Sequence, residues 1–415
     1  MDDIPCSPPR PLARATRLAQ LQQVVVGAGL ARPLARATRL AQAGTRSDAA
    51  TGAISTPIHQ TASFRHPALG RSSGFDYSRT SNPTRLVLEQ ALAELDGGCR
   101  AFAFASGLAA IDAVVRLFAP GERIVVTEDL YGGTYRLFQH VYRPLGIEAV
   151  YVDTSDAAAV RAACADPRVR GLLVESPTNP VMRVADLRAL AAIARERGLL
   201  FAVDNTFLTA WCQRPIEQGA DLVLYSATKF LGGHSDVVAG LAVAREAELG
   251  RRLRFIQNAF GAILGPQDAW LVQRGLRTLA VRLDAQQATA TRLAAWLAAR
   301  KDIHRVHHPS LDRHPGRDVH ARQADGPGAV VSFELADGPA AVAFLKAVRL
   351  PLVGVSLGGV ETILSYPATM SHAAMPRPER LARGIGDGLV RLSAGLESFE
   401  DLAADLGAAL DAAAR

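Results

Sequence analysis

From about residue 100 the chain alternates short apolar runs with stretches whose apolar residues recur at helical spacing, and few folds accept that alternation. Ala101–Ala105 reads as a strand, after which Leu108, Ile111, Val114, Val115 and Phe118 follow a helical period. Ile124–Val126, Ala149–Val152, Leu172–Val174, Leu200–Val203 and Leu222–Leu224 read as further strands, with helical patterns such as Ala185–Arg197 between them. Repeated β and α units of this kind predict an α/β fold with a mostly parallel, doubly wound sheet and functional residues at the strand C-termini. A long helical stretch at Asp268–Arg300 reads as a connector. Beyond it Val330–Leu335, Leu352–Val355 and Thr362–Leu364 alternate with helices at Ala340–Val348 and Asp401–Ala414, which predicts a second, smaller α/β domain.

The remaining features exclude more than they assign. No apolar run reaches the ~18 residues a membrane span needs. The four cysteines (Cys6, Cys99, Cys164, Cys212) are far apart and form no CxxC, which argues against a zinc ribbon or a disulfide scaffold and fits a reducing cytoplasm. The net charge of +6 is concentrated at the N-terminus: seven arginines against Asp2 and Asp3 give residues 1–46 a net +5. The body is then nearly neutral, without the basic stripe that binds nucleic acid. Residues 1–46 also contain a duplication, since Arg10–Gln20 recurs unchanged as Arg32–Gln42. Identity without drift indicates a recent local event rather than a solenoid repeat, and the segment is expected to be extended or disordered.

One residue stands out chemically. Of 46 basic residues only Lys229, Lys301 and Lys346 are lysines. A chain that uses arginine wherever charge suffices places Lys229 after an apolar strand, in Ser226-Ala227-Thr228-Lys229, followed by Gly232-Gly233. An amine can form a Schiff base once burial lowers its pKa, whereas a guanidinium stays protonated. The competing reading is a lysine that snorkels from a strand end. Asp204 closes another apolar strand, where a carboxylate is costly unless paired; a protonated ring nitrogen would pair it, and so would a helix cap. Ser106-Gly107-Leu108 joins strand to helix in the way that presents free N–H groups to an anion, with Ser226 and Thr228 as further donors. Tyr131, beside Gly132 and Gly133, can lie flat on a planar ring. Tyr77 and Arg79 sit in a loop of turn formers, and Arg391, between apolar neighbours, calls for a carboxylate partner. Together these specify pyridoxal phosphate chemistry.

With those residues in place, the chain resembles the Cys/Met-metabolism, or trans-sulfuration, group of pyridoxal-phosphate enzymes over residues 46–415. The motifs are Tyr77-Ser-Arg79-Thr-Ser-Asn-Pro-Thr84, Ser106-Gly107, Tyr131-Gly-Gly-Thr134, Glu175-Ser-Pro-Thr-Asn179-Pro, Val203-Asp204-Asn-Thr, Ser226-Ala-Thr-Lys229, Gly232-Gly-His-Ser-Asp236, Ser356-Leu-Gly-Gly and Arg391-Leu-Ser. The resemblance implies the aspartate-aminotransferase-like fold type I, with a seven-stranded sheet and a smaller C-terminal domain. It implies an arm at 47–98 that reaches the neighbouring subunit, a cofactor domain at 99–275 and a C-terminal domain at 276–415, assembled as a homotetramer of two catalytic dimers. Lys229 becomes the cofactor tether and base, Asp204 the partner of the ring nitrogen and Tyr131 the stacking ring that assists proton transfer. Ser106, Gly107, Leu108, Ser226 and Thr228 would hold the phosphate, together with Tyr77 and Arg79 from the neighbouring subunit. Asn179, Ser356 and Arg391 would orient the substrate carboxylate and the cofactor's phenolic oxygen.

Within that group Val355 stands where many cystathionine γ-synthases and γ-lyases carry Glu, and Gly133 where methionine γ-lyases carry Cys. The stretches Ser356–Met375 and Asn258–Asp268 look most like bacterial cystathionine β-lyases, so β-elimination of L-cystathionine is expected. The alternatives are γ-synthase, γ-lyase and O-acylhomoserine sulfhydrylase activity. A cofactor-free binding protein on this fold would be expected to lose the lysine or the aspartate, and both are present. A metal hydrolase built on His234 and Asp236 lacks a third ligand at suitable spacing.

Overall fold

The computed structural model describes residues 33–414. The chain forms two compact units. The first takes residues up to Leu117 together with Leu224–Gly232 and Asp236–Ala280; the second takes Phe118–Val223, Gly233–Ser235 and Val281–Arg415. Seven strands make the larger sheet: β1 (Arg100–Phe104), β2 (Arg123–Thr127), β3 (Glu148–Val152), β4 (Val169–Glu175), β5 (Leu200–Asp204), β6 (Leu222–Ser226) and β7 (Gly240–Ala244), in the order β1-β7-β6-β5-β4-β2-β3.

In the second unit β2 pairs with both β3 and β4, and β4 pairs with β5, all parallel. Their near-continuous Val, Leu and Ile runs suit strands covered on both faces. Val125, Leu172, Val174, Phe201 and Val203 are buried in one core with Leu187, Leu190 and Ile193 from the helix Leu187–Arg197. Asp186 caps that helix by accepting the Ala189 N–H, and Gly198 ends it at φ 63°. The parallel register sets Glu175 directly opposite Asp204 at the C-terminal ends of β4 and β5. The same unit carries a smaller sheet of β8 (Arg305–His307), β9 (Val330–Glu334), β10 (Leu352–Val353), β11 (Ile363–Ser365) and β12 (Leu389–Ser393), in the order β10-β11-β12-β9-β8. Arg391 lies on its central strand, opposite Ser365 on one side and Ser332 on the other.

In the first unit β1 runs antiparallel to β7. The run that forms β7, Gly-Leu-Ala-Val-Ala, is absent from the expected strands because Gly and Ala carry little strand preference of their own. The three-residue β8 is too short to show a period. The expected connector resolves into two helices, Pro266–Leu276 and Leu279–Ala298. Among the described residues no helix is long and apolar enough to cross a membrane.

Of the N-terminal segment, residues 1–32 lie outside the described residues. Residues 36–41, expected to be extended or disordered, form a helix. One turn and a half does not stand alone in water. It is held by burial of Leu40, by a hydrogen bond from Arg39 Nη1 to the Glu94 carbonyl at 3.2 Å, and by one from Arg277 Nε to the Ala41 carbonyl at 3.2 Å. These partners are distant in sequence, so local pattern could not announce them.

Two buried histidines give the fold a pH signature. Burial pushes His308 and His372 from 6.5 down to about 4. His308 lies 2.7 Å from the Ser310 hydroxyl, and His372 lies 3.3 Å from the Leu130 carbonyl. Below 6.5 the unfolded chain takes up protons that these imidazoles refuse when folded, so their contribution is fully present above that pH and is lost as pH falls toward 4. By pH 5 each is expected to have withdrawn roughly 2 kcal/mol. Urea-unfolding midpoints measured from pH 7.5 to pH 5 should fall; a flat profile would contradict this account.

Candidate active site

In the first unit the site is built at two strand ends. Ser106 follows β1 in extended conformation, and its hydroxyl accepts the Ala109 N–H at 3.1 Å, capping the helix Gly107–Val115. A Cβ on Gly107 would lie 2.9 Å from the Ser226 Cβ, so the bare backbone is what lets this helix start approach the end of β6. Tyr225 anchors that strand end by donating its hydroxyl to Asp96 Oδ1 at 2.6 Å. The turn beyond it is braced from within. The Lys229 N–H donates to the Ser226 carbonyl at 3.1 Å, and Thr228 exchanges hydrogen bonds with the backbone of Ala239 through both its amide and its hydroxyl. Lys229, Ser226, Thr228, Gly107 and Leu108 are all half-buried. Tyr77 and Arg79 stand exposed; Arg79 Nη1 donates to the Asn258 carbonyl at 2.6 Å and its guanidinium lies 5.5 Å from the Tyr77 ring centroid.

In the second unit the structure joins Tyr131, Glu175, Asn179 and Arg391 into one network. The Tyr131 N–H donates to Glu175 Oε2 at 3.1 Å, and the Asn179 N–H donates to Glu175 Oε1 at 2.7 Å. Arg391 Nη1 donates to Asn179 Oδ1 at 2.8 Å, while its Nη2 donates to the Ser356 carbonyl at 2.7 Å and to the Ser365 hydroxyl at 3.0 Å. All three acceptors are neutral, and the buried Arg391 Nε has no acceptor among the described residues. Burial draws the guanidinium down to about 10, which still leaves it charged at neutral pH. A buried cation with neutral partners and one unused donor has the chemistry to receive a carboxylate.

Asp204 accepts the Thr206 N–H at 3.0 Å and the Thr206 hydroxyl at 2.6 Å, both at Oδ1. Its Oδ2 takes no hydrogen bond from the described residues, and burial raises the carboxyl above its ordinary range. Tyr131 is positioned by the residue two places on, because a Cβ on Gly133 would lie 2.3 Å from its ring. Ser356 holds a left-handed φ of 82°, a strained conformation for a side-chain-bearing residue, and Val355 beside it is 70% exposed.

Each unit thus gathers its own set of the expected residues. Sequence reasoning quoted Glu175 within a motif but gave it no task. The signal was available, because Glu175 closes an apolar strand as Asp204 does. Thr206 was likewise quoted in a motif without a task, although a Thr two places after an Asp is a local turn signal; Ser365 was missed, since nothing local marks it as a partner of Arg391.

The family model described as Cys/Met metabolism PLP-dependent enzyme matches residues 37–411. A cystathionine beta-lyase of Bacillus subtilis is 48% identical over 365 residues, which is 88% of this chain and 93% of that protein. A cystathionine gamma-lyase of the same organism is 45% identical over 368 residues, 89% of this chain and 97% of its own length. The crystal structure of cystathionine gamma synthase from Xanthomonas oryzae pv. oryzae, in complex with aminoacrylate and cysteine, superposes with a TM-score of 0.90 at 43% identity, covering 92% of this chain and 99% of that one. The chain belongs to the Cys/Met-metabolism family of PLP-dependent enzymes, with pyridoxal phosphate as its cofactor.

Proposed function

We propose that this enzyme cleaves the C–S bond of L-cystathionine by β-elimination, consuming water and releasing homocysteine, pyruvate and ammonia. The observation that carries the choice is Val355. It stands exposed next to Ser356, whose carbonyl holds Arg391, and an apolar side chain there lacks the carboxylate with which the Glu of many γ-synthases and γ-lyases would hold their substrate's distal ammonium. The reading includes a cytoplasmic homotetramer of two catalytic dimers, with Tyr77 and Arg79 serving the neighbouring subunit's phosphate site; the exposure of both side chains supports it. It retains the division into an arm at 47–98, a cofactor domain at 99–275 and a C-terminal domain at 276–415.

The residues present fit the cofactor. Asp204 takes both Thr206 hydrogen bonds at Oδ1 alone, Gly107 and Ser226 make a close-packed cradle beside a capped helix start, and Arg391 has a donor to spare. When bound, pyridoxal phosphate supplies an electron sink for the charge left on the substrate's α-carbon. Asp204 would keep the ring nitrogen protonated, and Tyr131 would stack on the ring. Ser106, Gly107, Leu108, Ser226 and Thr228 would hold the phosphate. Arg391, steadied by Asn179 and Ser356, would bind the α-carboxylate. Lys229 would tether the cofactor, and after the substrate amine displaces it Nζ would take the α-proton. One proton removal suffices for a thiolate to leave from the β-carbon. Loss from the γ-carbon requires Nζ to act a second time, on a β-proton.

Three measurements test this reading. Incubation with L-cystathionine should yield pyruvate; 2-oxobutyrate would mean γ-lyase, and turnover only of an O-acylhomoserine with a thiol would mean synthase or sulfhydrylase. Purified protein should be yellow, and Lys229→Ala should abolish that absorbance; unchanged colour in the variant would remove Lys229 from its role. Arg391→Lys should raise KM for cystathionine by at least about tenfold, because an ammonium cannot reproduce a bidentate fork, while cofactor absorbance stays.

A further inference from the structure

We infer that Glu175 is a positioning residue, a carboxylate clamp that holds the Tyr131 ring and the Asn179 carboxamide in mutual register. The inference rests on the assignment of Tyr131 and Asn179 to the cofactor site. Its geometry is bidentate in an uncommon sense: the two oxygens serve two different loops. Oε2 accepts the N–H of Tyr131, on the segment that follows β2, and Oε1 accepts the N–H of Asn179, on the segment that follows β4. Neither N–H belongs to a sheet ladder, so without Glu175 both would need another acceptor or lie unsatisfied. The clamp is itself fixed, since the Glu175 N–H donates to the Thr127 hydroxyl at 3.0 Å, at the last residue of β2.

The charge distribution argues that this arrangement is more than packing. Glu175 stands directly opposite Asp204, so two carboxylates end adjacent parallel strands. Burial and then the Asp204 charge push Glu175 well above its ordinary range, while the two N–H bonds favour the ionised form. A glutamine of the same shape would avoid that repulsion. It would also lose one acceptor, because its amide nitrogen can only oppose an N–H. Retaining a carboxylate beside another carboxylate therefore makes sense where both loops must be gripped at once. Downstream of the clamp, Asn179 Oδ1 is the acceptor for Arg391 Nη1, so a shift of Asn179 reaches the substrate-carboxylate donor as well.

The test uses holoenzyme. Glu175→Gln is expected to keep the yellow absorbance and to keep its thermal midpoint within a few degrees, yet to lower kcat/KM at least tenfold and to change the visible circular dichroism of the bound cofactor. In a Tyr131→Ala, Asn179→Ala background the same substitution should cost less than twofold, because the groups it positions are gone. Unchanged kcat/KM and dichroism in Glu175→Gln overturn the proposal, as does a full additive loss in the double-variant background. If Glu175→Gln does not fold, Glu175→Asp is read by the same criteria. Failure of the underlying site assignment shows separately: Tyr131→Ala and Asn179→Ala would then retain full activity whatever Glu175 does.

Discussion

Placing two half-buried acids side by side, Glu175 and Asp204, is the constraint around which the surrounding side chains are arranged. Parallel pairing of β4 with β5 sets Glu175 against Asp204, and the same pairing delivers both to the C-terminal edge of the sheet. Like charges in that position repel, and the fold resolves the repulsion by giving each acid a different kind of partner. Glu175 takes backbone N–H groups from two loops; Asp204 takes the N–H and hydroxyl of Thr206 at one oxygen. Two chemically similar residues thereby stand in different surroundings, and in the proposed mechanism their tasks differ accordingly, one mechanical and one electronic.

Arg391 shows the complementary situation. It lies on the central strand of the smaller sheet and is surrounded by neutral acceptors from Asn179, Ser356 and Ser365. Those contacts fix the plane of the guanidinium without neutralising it. The charge is left unneutralised, which in the proposed mechanism is what an incoming carboxylate would meet. Ser356 contributes its carbonyl from a backbone conformation that favours glycine, so local strain is accepted at the point where Arg391 is oriented.

Much of this was legible in the sequence, and the reasons are specific. Strands β2, β4 and β5 announced themselves because parallel strands covered on both faces must be apolar along most of their length. Asp204 could be placed at a strand end and Lys229 in the turn after one, because the apolar runs before them mark where those strands stop. What stayed hidden depended on partners far away in the chain. Glu175 looked like one more motif letter until Tyr131, 44 positions earlier, was seen donating to it. The strand β7 is built from small residues whose burial, not propensity, makes them a strand. The helix Arg36–Ala41 exists through Glu94 and Arg277, neither of which its own sequence mentions.

That last helix bears on how the N-terminus can change over time. The two copies of the eleven-residue segment lie 22 positions apart, starting at Arg10 and at Arg32. Loss of one 22-residue unit would leave the same leucine and arginines preceding Ala43, and the docking contacts with Glu94 and Arg277 would be rebuilt without altering a side chain. The tandem is therefore a region where the gene can lengthen or shorten in whole units while the residues that meet the enzyme body remain the same.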